Sequence, residues 1–149
     1  MNKVSRFIAS VFGIGEIPIL PGTVASLAGL ALYVFYLHRV GNAILGWLGG
    51  VGWVGLIASH QALKGQKETD PSWIVIDEVL GMLVTYSFIP LRWPFLLLGF
   101  CLFRFFDITK LFPINRLERL PGAWGVLLDD VGAGLYANLL LQIFLRVTS

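Results

Sequence analysis

The 149-residue chain is poor in cysteine, histidine and charged residues. It has one cysteine, Cys101, and two histidines, His38 and His60. These numbers exclude a disulfide framework, an iron–sulfur centre and a zinc site built from cysteine and histidine. Charged residues make up 13% of the chain, and the formal net charge is only +2. A basic surface that binds nucleic acid is therefore not expected.

Apolar residues dominate the chain, with 56% hydrophobic residues and a mean hydropathy of +0.78. This composition is typical of a membrane protein. At about 20 residues per membrane-spanning helix, the chain is long enough for four or five spans. We therefore predict an all-α membrane protein with a single transmembrane domain over residues 1–149. The expected architecture is a compact bundle of about five transmembrane helices, with four as the alternative.

Proline, glycine and polar residues divide the chain into segments. An interfacial segment is predicted over Met1–Ser10, and a loop over Gly13–Gly22, because prolines and glycines interrupt helices. The predicted spans are Thr23–Leu37, Ala43–Ala62, Trp73–Leu91, Trp93–Thr109 and Gly125–Leu145.

The second predicted span is rich in glycine. Small residues allow helix backbones to approach closely in lipid. We therefore expect close helix packing along this span, at Gly46, Gly49, Gly50, Gly52 and Gly55.

The distribution of positive charge predicts an orientation, because lysine and arginine are retained on the cytoplasmic side of a membrane. With five spans and the N-terminus inside, only Arg39, Arg92 and Arg146 of the eleven basic residues fall outside. The remaining basic residues then lie in or near cytoplasmic segments: Lys3, Arg6, Lys64, Lys67, Arg104, Lys110, Arg116 and Arg119.

Five of the nine acidic residues lie inside or at the edges of predicted spans. An aspartate near the centre of a membrane helix costs about 2.5–3.5 kcal/mol, so these positions call for a functional reason. In the predicted topology all five lie near the cytoplasmic ends of their helices and converge at one depth. They are Asp77, Glu78, Asp107, Asp129 and Asp130.

Divalent cations are the expected partners of this acidic group. Together with Arg104 and Lys110, the five carboxylates have a formal charge of −3, which would repel an anionic substrate. Carboxylate oxygens are hard ligands that suit Mg²⁺, so the five acids are candidate magnesium ligands and catalytic residues. The spacing of Arg104, Asp107 and Lys110 also allows the alternative of ion pairs within one helix.

The loop before the first span offers groups that could bind an anion. The backbone at Gly22 and the hydroxyls of Thr23 and Ser26 lie at the start of a helix, where the helix dipole favours negative charge. A simple helix-entry turn is the alternative interpretation. Two other functions also remain open: a small ion channel or transporter with an acidic cation site, and a structural subunit.

Four ordered blocks of the sequence resemble the phosphatidylglycerophosphatase A family. The resemblance covers nearly the whole chain. The blocks are Pro18-x-x-Pro21-Gly22-Thr23-x-x-Ser26-Leu27, Ile74-Val75-x-Asp77-Glu78-x-x-Gly81-Met82, Arg104-x-x-Asp107-x-x-Lys110-x-x-Pro113-Ile114 and Gly125-x-x-x-Asp129-Asp130-x-x-Ala133-Gly134.

This resemblance implies a magnesium-dependent phosphatase of the bacterial cytoplasmic membrane. It would convert phosphatidylglycerophosphate of the inner leaflet to phosphatidylglycerol at the cytoplasmic face. Arg104 and Lys110 are then expected to clamp the phosphate, with weaker contributions from Gly22, Thr23 and Ser26. The nucleophile is either a water activated by the metal, which we favour, or an aspartate that forms a phosphoenzyme. Membrane lipids are the expected surroundings, and no obligate protein partner is predicted.

Overall fold

The computed structural model describes residues 2–68 and 70–148, and within these ranges it contains helices but no strands. Three stretches of the described chain are long and apolar enough to cross a membrane: Pro21–Arg39, Gly41–Leu63 and Ala123–Thr148. The predicted all-α membrane fold is confirmed. The α-helices are α1 (Lys3–Ala9), α2 (Pro21–Phe35), α3 (Ile44–Leu63), α4 (Ile76–Tyr86), α5 (Trp93–Thr109), α6 (Ile114–Leu117) and α7 (Ala123–Thr148).

The predicted and observed helix bounds agree best for α5 and differ most for α4. α5 covers Trp93–Thr109, as predicted. α4 has only 11 residues, whereas the predicted span covered Trp73–Leu91. The residues just before α4 form a turn, in which the Ile74 amide donates to the Pro71 carbonyl, and the Val75 amide donates to the Ala9 carbonyl, both at 3.0 Å. The chain turns again after α4 at Phe88, which has a φ of 61°. The apolar run is therefore longer than the helix.

α4 is the central helix of the bundle. Every one of its residues except Glu78 is buried. Its C-terminal end is fixed by polar contacts: the Asn138 side chain donates to the Thr85 and Ser87 carbonyls at 2.9 and 2.8 Å, and the Tyr86 hydroxyl donates to the Leu96 carbonyl. These bonds satisfy backbone carbonyls that lipid could not. α4 is thus anchored to both α5 and α7.

Glycines bring α4 and α7 into close contact. A Cβ atom added at Gly81 would lie 2.8 Å from the Asp130 carbonyl oxygen, and one at Gly134 would collide with the Gly81 carbonyl oxygen. Any larger side chain would push the two helices apart. This close approach places Asp130 of α7 beside the first turn of α4.

Only two of the five α3 glycines predicted to pack closely against another helix do so. Added Cβ atoms at Gly55 and Gly52 would touch Ile76 and Leu80 of α4 at 3.4 and 3.7 Å, as ordinary helix contacts do. At Gly46, Gly49 and Gly50 no atom of the described chain lies within 4 Å of an added Cβ. The prediction of close packing is wrong for these three residues, because they lie on exposed parts of α3 that no other helix covers in the described structure.

Candidate functional site

The long helices alternate in direction, so the start of α2, α4 and α7 and the end of α5 meet at one end of the bundle. A cavity of about 330 Å³ opens there, which we call the acidic cavity. All five acidic residues selected from the sequence line this cavity. Its polar lining is Thr23, Asp70, Ser72, Asp77, Glu78, Arg104, Asp107, Lys110, Asp129 and Asp130, with Gly22 among its other residues.

Three carboxylates form a close group, which we call the carboxylate cluster: Asp77, Glu78 and Asp130. One ligand oxygen from each lies within 4.8 Å of the others. Asp77 and Asp130 are only 6% and 3% exposed. Within the described part of the chain, no hydrogen-bond partner reaches Asp77 Oδ1, Glu78 Oε2 or Asp130 Oδ2. Unpartnered carboxylate oxygens are costly to bury, and this donor set fits a hard divalent cation such as Mg²⁺.

The other two acids of the prediction are paired with cations. Arg104 Nη1 lies 2.5 Å from Asp107 Oδ2, one helical turn along α5. This pair matches the intrahelical alternative left open by the sequence. It also fixes the guanidinium at the wall of the acidic cavity, beside the carboxylate cluster.

Lys110 pairs across the bundle and not with Asp107. Its Nζ lies 2.6 Å from Asp129 Oδ2 and 2.8 Å from Glu118 Oε1. Burial lowers the pKa of Lys110, but the hydrogen bonds to the Asp129 and Glu118 carboxylates outweigh it, so the pKa is raised above the ordinary value. The ammonium therefore stays charged at neutral pH.

The start of α2 approaches the carboxylate cluster very closely. A Cβ atom added at Gly22 would collide with Glu78 Oε1 and would lie 3.7 Å from Arg104 Nη1. Thr23 lines the acidic cavity, but Ser26 does not. The Ser26 side chain is buried and donates to the Gly22 carbonyl at 2.8 Å. Ser26 thus differs from the prediction: its hydroxyl is held by the backbone of its own helix.

Two residues at the cavity wall were missed by the sequence reasoning. Asp70 and Ser72 come from the polar connection between α3 and α4, and both line the acidic cavity. The sequence did contain an indication of their role: this connection comes directly before α4, at the end of the bundle where the acids were predicted to meet. Glu118 was also missed as a partner of Lys110. The two residues are eight positions apart, and they meet only because the chain turns around α6.

The close approach at Gly22 leads to a testable prediction. Gly22→Ala is expected to lower the rate of phosphate release, the activity that the sequence resemblance implies, at least about tenfold, because the new methyl group displaces the Glu78 carboxylate. Gly49→Ala is the matched control, since an added Cβ there meets open space in the described structure. Initial rates of phosphate release measure the effect. Equal rates for the two variants would show that the Glu78 position is not critical.

A family model described as phosphatidylglycerophosphatase A matches residues 7–145 of the chain. The chain belongs to the phosphatidylglycerophosphatase A family. Membership makes it an enzyme of the phosphatase class, and the apolar helices make it a membrane protein. The resemblance read from the four sequence blocks is confirmed.

Named relatives agree with this family assignment. Phosphatidylglycerophosphatase A of Haemophilus influenzae is 37% identical over 135 residues, covering 89% of this chain and 83% of that protein. The enzyme of the same name from Escherichia coli is 32% identical over 139 residues, covering 91% and 80%. A Bacteroides thetaiotaomicron protein with the provisional name phosphatidylinositol-3-phosphatase is 30% identical over 144 residues, covering 91% and 90%. No solved structure matches the chain.

Proposed function

We propose that this chain hydrolyses the phosphomonoester of phosphatidylglycerophosphate, releasing phosphatidylglycerol and phosphate, with Mg²⁺ as cofactor and at the cytoplasmic membrane face. The observation that carries the proposal is the carboxylate cluster, in which three carboxylates with unpartnered oxygens meet at one cavity of a chain from this family. Clustering at one end of the bundle favours a site for chemistry over a cation pathway, in which acidic residues would follow one another through the membrane.

Asp77, Glu78 and Asp130 are the proposed magnesium ligands. Bound there, the cation would act as a Lewis acid on a phosphate oxygen and offset the negative charge of the cavity. The contribution of the protein is to hold three carboxylates from α4 and α7 together before the cation arrives. Gly81 and Gly134 make this possible, because they allow the two helices to touch.

Arg104 and Lys110 are the proposed phosphate clamp. Each is oriented by an acid that is not part of the carboxylate cluster: Asp107 holds Arg104, and Asp129 holds Lys110. Cations fixed before the substrate binds stabilise the charge of the reacting phosphate without further reorganisation. Asp107 and Asp129 are thus proposed mainly to position Arg104 and Lys110. From the sequence they were predicted to be metal ligands, together with the other three acids.

The start of α2 completes the proposed phosphate site. Gly22 and Thr23 line the acidic cavity at the N-terminus of a 15-residue helix, where backbone N–H groups favour an anion. In the proposed reaction, water attacks phosphorus, the bond to the glycerol oxygen breaks, and a proton from the attacking water is transferred to that oxygen. In the alternative, an aspartate attacks phosphorus as the glycerol oxygen leaves, and water then hydrolyses the phosphoenzyme.

The membrane supplies the rest of the substrate site. A cavity of about 330 Å³ has room for a phosphorylated headgroup and not for two acyl chains. We therefore place the headgroup in the acidic cavity and the chains in the adjacent leaflet. The cytoplasmic side is favoured because most of the lysines and arginines fall toward this end in the predicted topology.

Phosphate release from defined lipids tests the proposal. The full chain is purified in detergent and given phosphatidylglycerophosphate with Mg²⁺ or with EDTA. EDTA is expected to lower the rate at least about tenfold, and added Mg²⁺ to restore it, because the carboxylate cluster needs a cation. Full activity in EDTA would refute the magnesium proposal.

The identity of the lipid is tested in the same assay. Phosphatidylinositol-3-phosphate is the competing substrate, because the relative from Bacteroides thetaiotaomicron bears that provisional name. A higher kcat/KM for phosphatidylglycerophosphate supports the proposal, and a preference for the inositol lipid overturns the substrate assignment. Cation flux into vesicles without phosphate release from either lipid would favour the channel alternative.

A further inference from the structure

Glu118 is linked to the acidic cavity through Lys110. Its Oε1 accepts a hydrogen bond from Lys110 Nζ at 2.8 Å, but in the described chain Glu118 is not among the residues that line the acidic cavity. It lines a small neighbouring cavity of about 70 Å³, whose wall also includes Asp70 and Asp129. Glu118 therefore lies beside the proposed phosphate site and not in it, so it can act on a phosphate there only through Lys110.

The Lys110 ammonium is held by two carboxylates. It has three N–H donors in a tetrahedral arrangement. Asp129 Oδ2 lies 2.6 Å from Nζ and Glu118 Oε1 lies 2.8 Å from it, so two of the donors have carboxylate acceptors. Fixing two of the three N–H directions also fixes the third. Because Lys110 lines the acidic cavity, its remaining N–H is available to a phosphate oxygen there.

Asp129 alone would not fix the ammonium. A lysine side chain is a flexible four-carbon stem that ends in a compact charge. With a single hydrogen bond to Asp129, the ammonium could turn about that bond, and its other two N–H groups would have no fixed direction. The second carboxylate comes from a different element, since Asp129 belongs to α7 and Glu118 follows α6. Lys110, directly after α5, is thus held by both.

The backbone of Glu118 is itself fixed by close packing. A Cβ atom added at Gly125 would lie 2.6 Å from the Glu118 carbonyl oxygen and would collide with the Leu120 carbonyl oxygen. The start of α7 therefore lies directly against the turn that carries Glu118. The Glu118 amide also donates to the Ile114 carbonyl at 3.1 Å. Together these contacts set the point from which the Glu118 carboxylate reaches Lys110.

The exposure of Glu118 distinguishes it from Asp129. The side chain of Glu118 is 47% exposed, whereas that of Asp129 is 5% exposed. A half-exposed ion pair contributes little to stability, so the fold should not depend on Glu118. Water also screens its charge, so a carboxylate at this place repels a bound phosphate only weakly. Since Glu118 lies outside the acidic cavity, a phosphate need not displace it.

We infer that Glu118 is a positioning residue, which orients the Lys110 ammonium toward the phosphate of the substrate. Asp129 anchors the ammonium, and Glu118 sets its direction. Glu118 itself does not contact the substrate. The inference rests on the proposed function, because it concerns the phosphate clamp proposed there.

Steady-state kinetics of the full chain in detergent, with phosphatidylglycerophosphate and Mg²⁺, test the inference. Glu118→Ala is expected to lower kcat/KM at least about fivefold without lowering KM, because the ammonium loses its orientation. Glu118→Gln keeps an oxygen acceptor and is expected to stay within about twofold of the wild type. Glu16→Ala is the matched control. Glu16 is also half-exposed and pairs with Arg6 at 2.9 Å, but in the described structure it does not line the acidic cavity.

A double-mutant cycle shows whether Glu118 acts through Lys110. In a Lys110→Met background, Glu118→Ala is expected to change kcat/KM by less than about twofold, because no ammonium is left to orient. An equal loss in both backgrounds would overturn the inference. If Lys110→Met is not recovered folded, the comparison of Glu118→Ala with Glu118→Gln decides.

Three results with the single variants would also overturn the inference. An unchanged kcat/KM in Glu118→Ala would show that Asp129 suffices, and an equal loss in Glu118→Gln would show that the charge of Glu118 acts and not its position. A lower KM in Glu118→Ala would show that Glu118 competes with the phosphate for Lys110. Loss of folded Glu118→Ala, measured as Tm, would make the residue structural.

Calorimetric binding of inorganic phosphate in Mg²⁺ separates failure of this inference from failure of the proposed function. Glu118→Ala is expected to raise the Kd for phosphate at least about threefold, and Glu118→Gln to leave it unchanged. If the wild type binds phosphate but hydrolyses neither lipid, the proposed function is wrong and these Kd values decide the inference. If it neither binds phosphate nor hydrolyses a lipid, both are overturned.

Discussion

Asp130→Asn and Asp77→Asn are each expected to lower kcat at least about a hundredfold. Both side chains are buried, and each leaves a carboxylate oxygen without a hydrogen-bond partner in the described chain. Asparagine keeps the size of the side chain but removes the charge that binds a divalent cation. The rate of phosphate release at saturating Mg²⁺ measures the effect, and Mn²⁺ binding followed by electron paramagnetic resonance reports the site directly.

The Tm of these two variants should not fall, although their activity does. A buried carboxylate without a partner destabilises the metal-free protein, so its neutralisation is expected to leave Tm unchanged or raise it. The control is Glu68→Gln, an exposed acid outside the acidic cavity. Near-wild-type kcat in both Asp77→Asn and Asp130→Asn would remove these residues from the site. Loss of folded protein would show that the carboxylates are structural.

Arg104→Gln is expected to lower kcat/KM about a hundredfold, because it removes a preorganised cation from the phosphate site. The guanidinium lies close to the start of α2 and is held by Asp107, so its position is fixed before the substrate binds. Arg104→Lys should restore only part of the activity, since an ammonium lacks the planar pair of donors. Steady-state kinetics at several lipid concentrations measure the loss.

The Mg²⁺ concentration that gives half-maximal activity shows whether Arg104→Gln impairs phosphate binding or Mg²⁺ binding. It should change little in Arg104→Gln, because the carboxylate cluster is intact. Arg92→Gln is the control, as it removes an exposed arginine at the opposite end of α5. An equal loss in Arg92→Gln, or an unchanged kcat/KM in Arg104→Gln, would contradict the proposed role.

The sequence predicted the helical membrane fold and the meeting of five acids because both depend on large-scale patterns. Long apolar runs set the helices, and their alternating direction brings Asp77, Asp107 and Asp130 to one end. α5 was predicted in full because Pro90 and Arg92 end the preceding apolar run, and the basic stretch that begins at Lys110 follows it. α4 was predicted too long, since the bond between Val75 and Ala9 depends on the position of α1.

The spacing of the acids along the sequence did not predict which of them form ion pairs and which are left as candidate metal ligands. Asp107 lies one turn from both Arg104 and Lys110, and only the folded chain shows that it pairs with Arg104. Lys110 instead reaches Asp129 and Glu118, which are distant along the sequence. The glycines of α3 were misassigned because a sequence shows where the absence of side chains permits close packing. It does not show whether another helix packs there.

The enclosure of α4 has a consequence for biosynthesis. At 11 residues it is roughly 16 Å long, about half the thickness of the hydrocarbon core. It also begins with two acids, so this segment has little tendency to partition into lipid alone. Its stable insertion is therefore expected to depend on the neighbours that shield it, above all α7, which is synthesised after it. The proposed metal site, which takes Asp130 from α7, is complete only once that helix has been made.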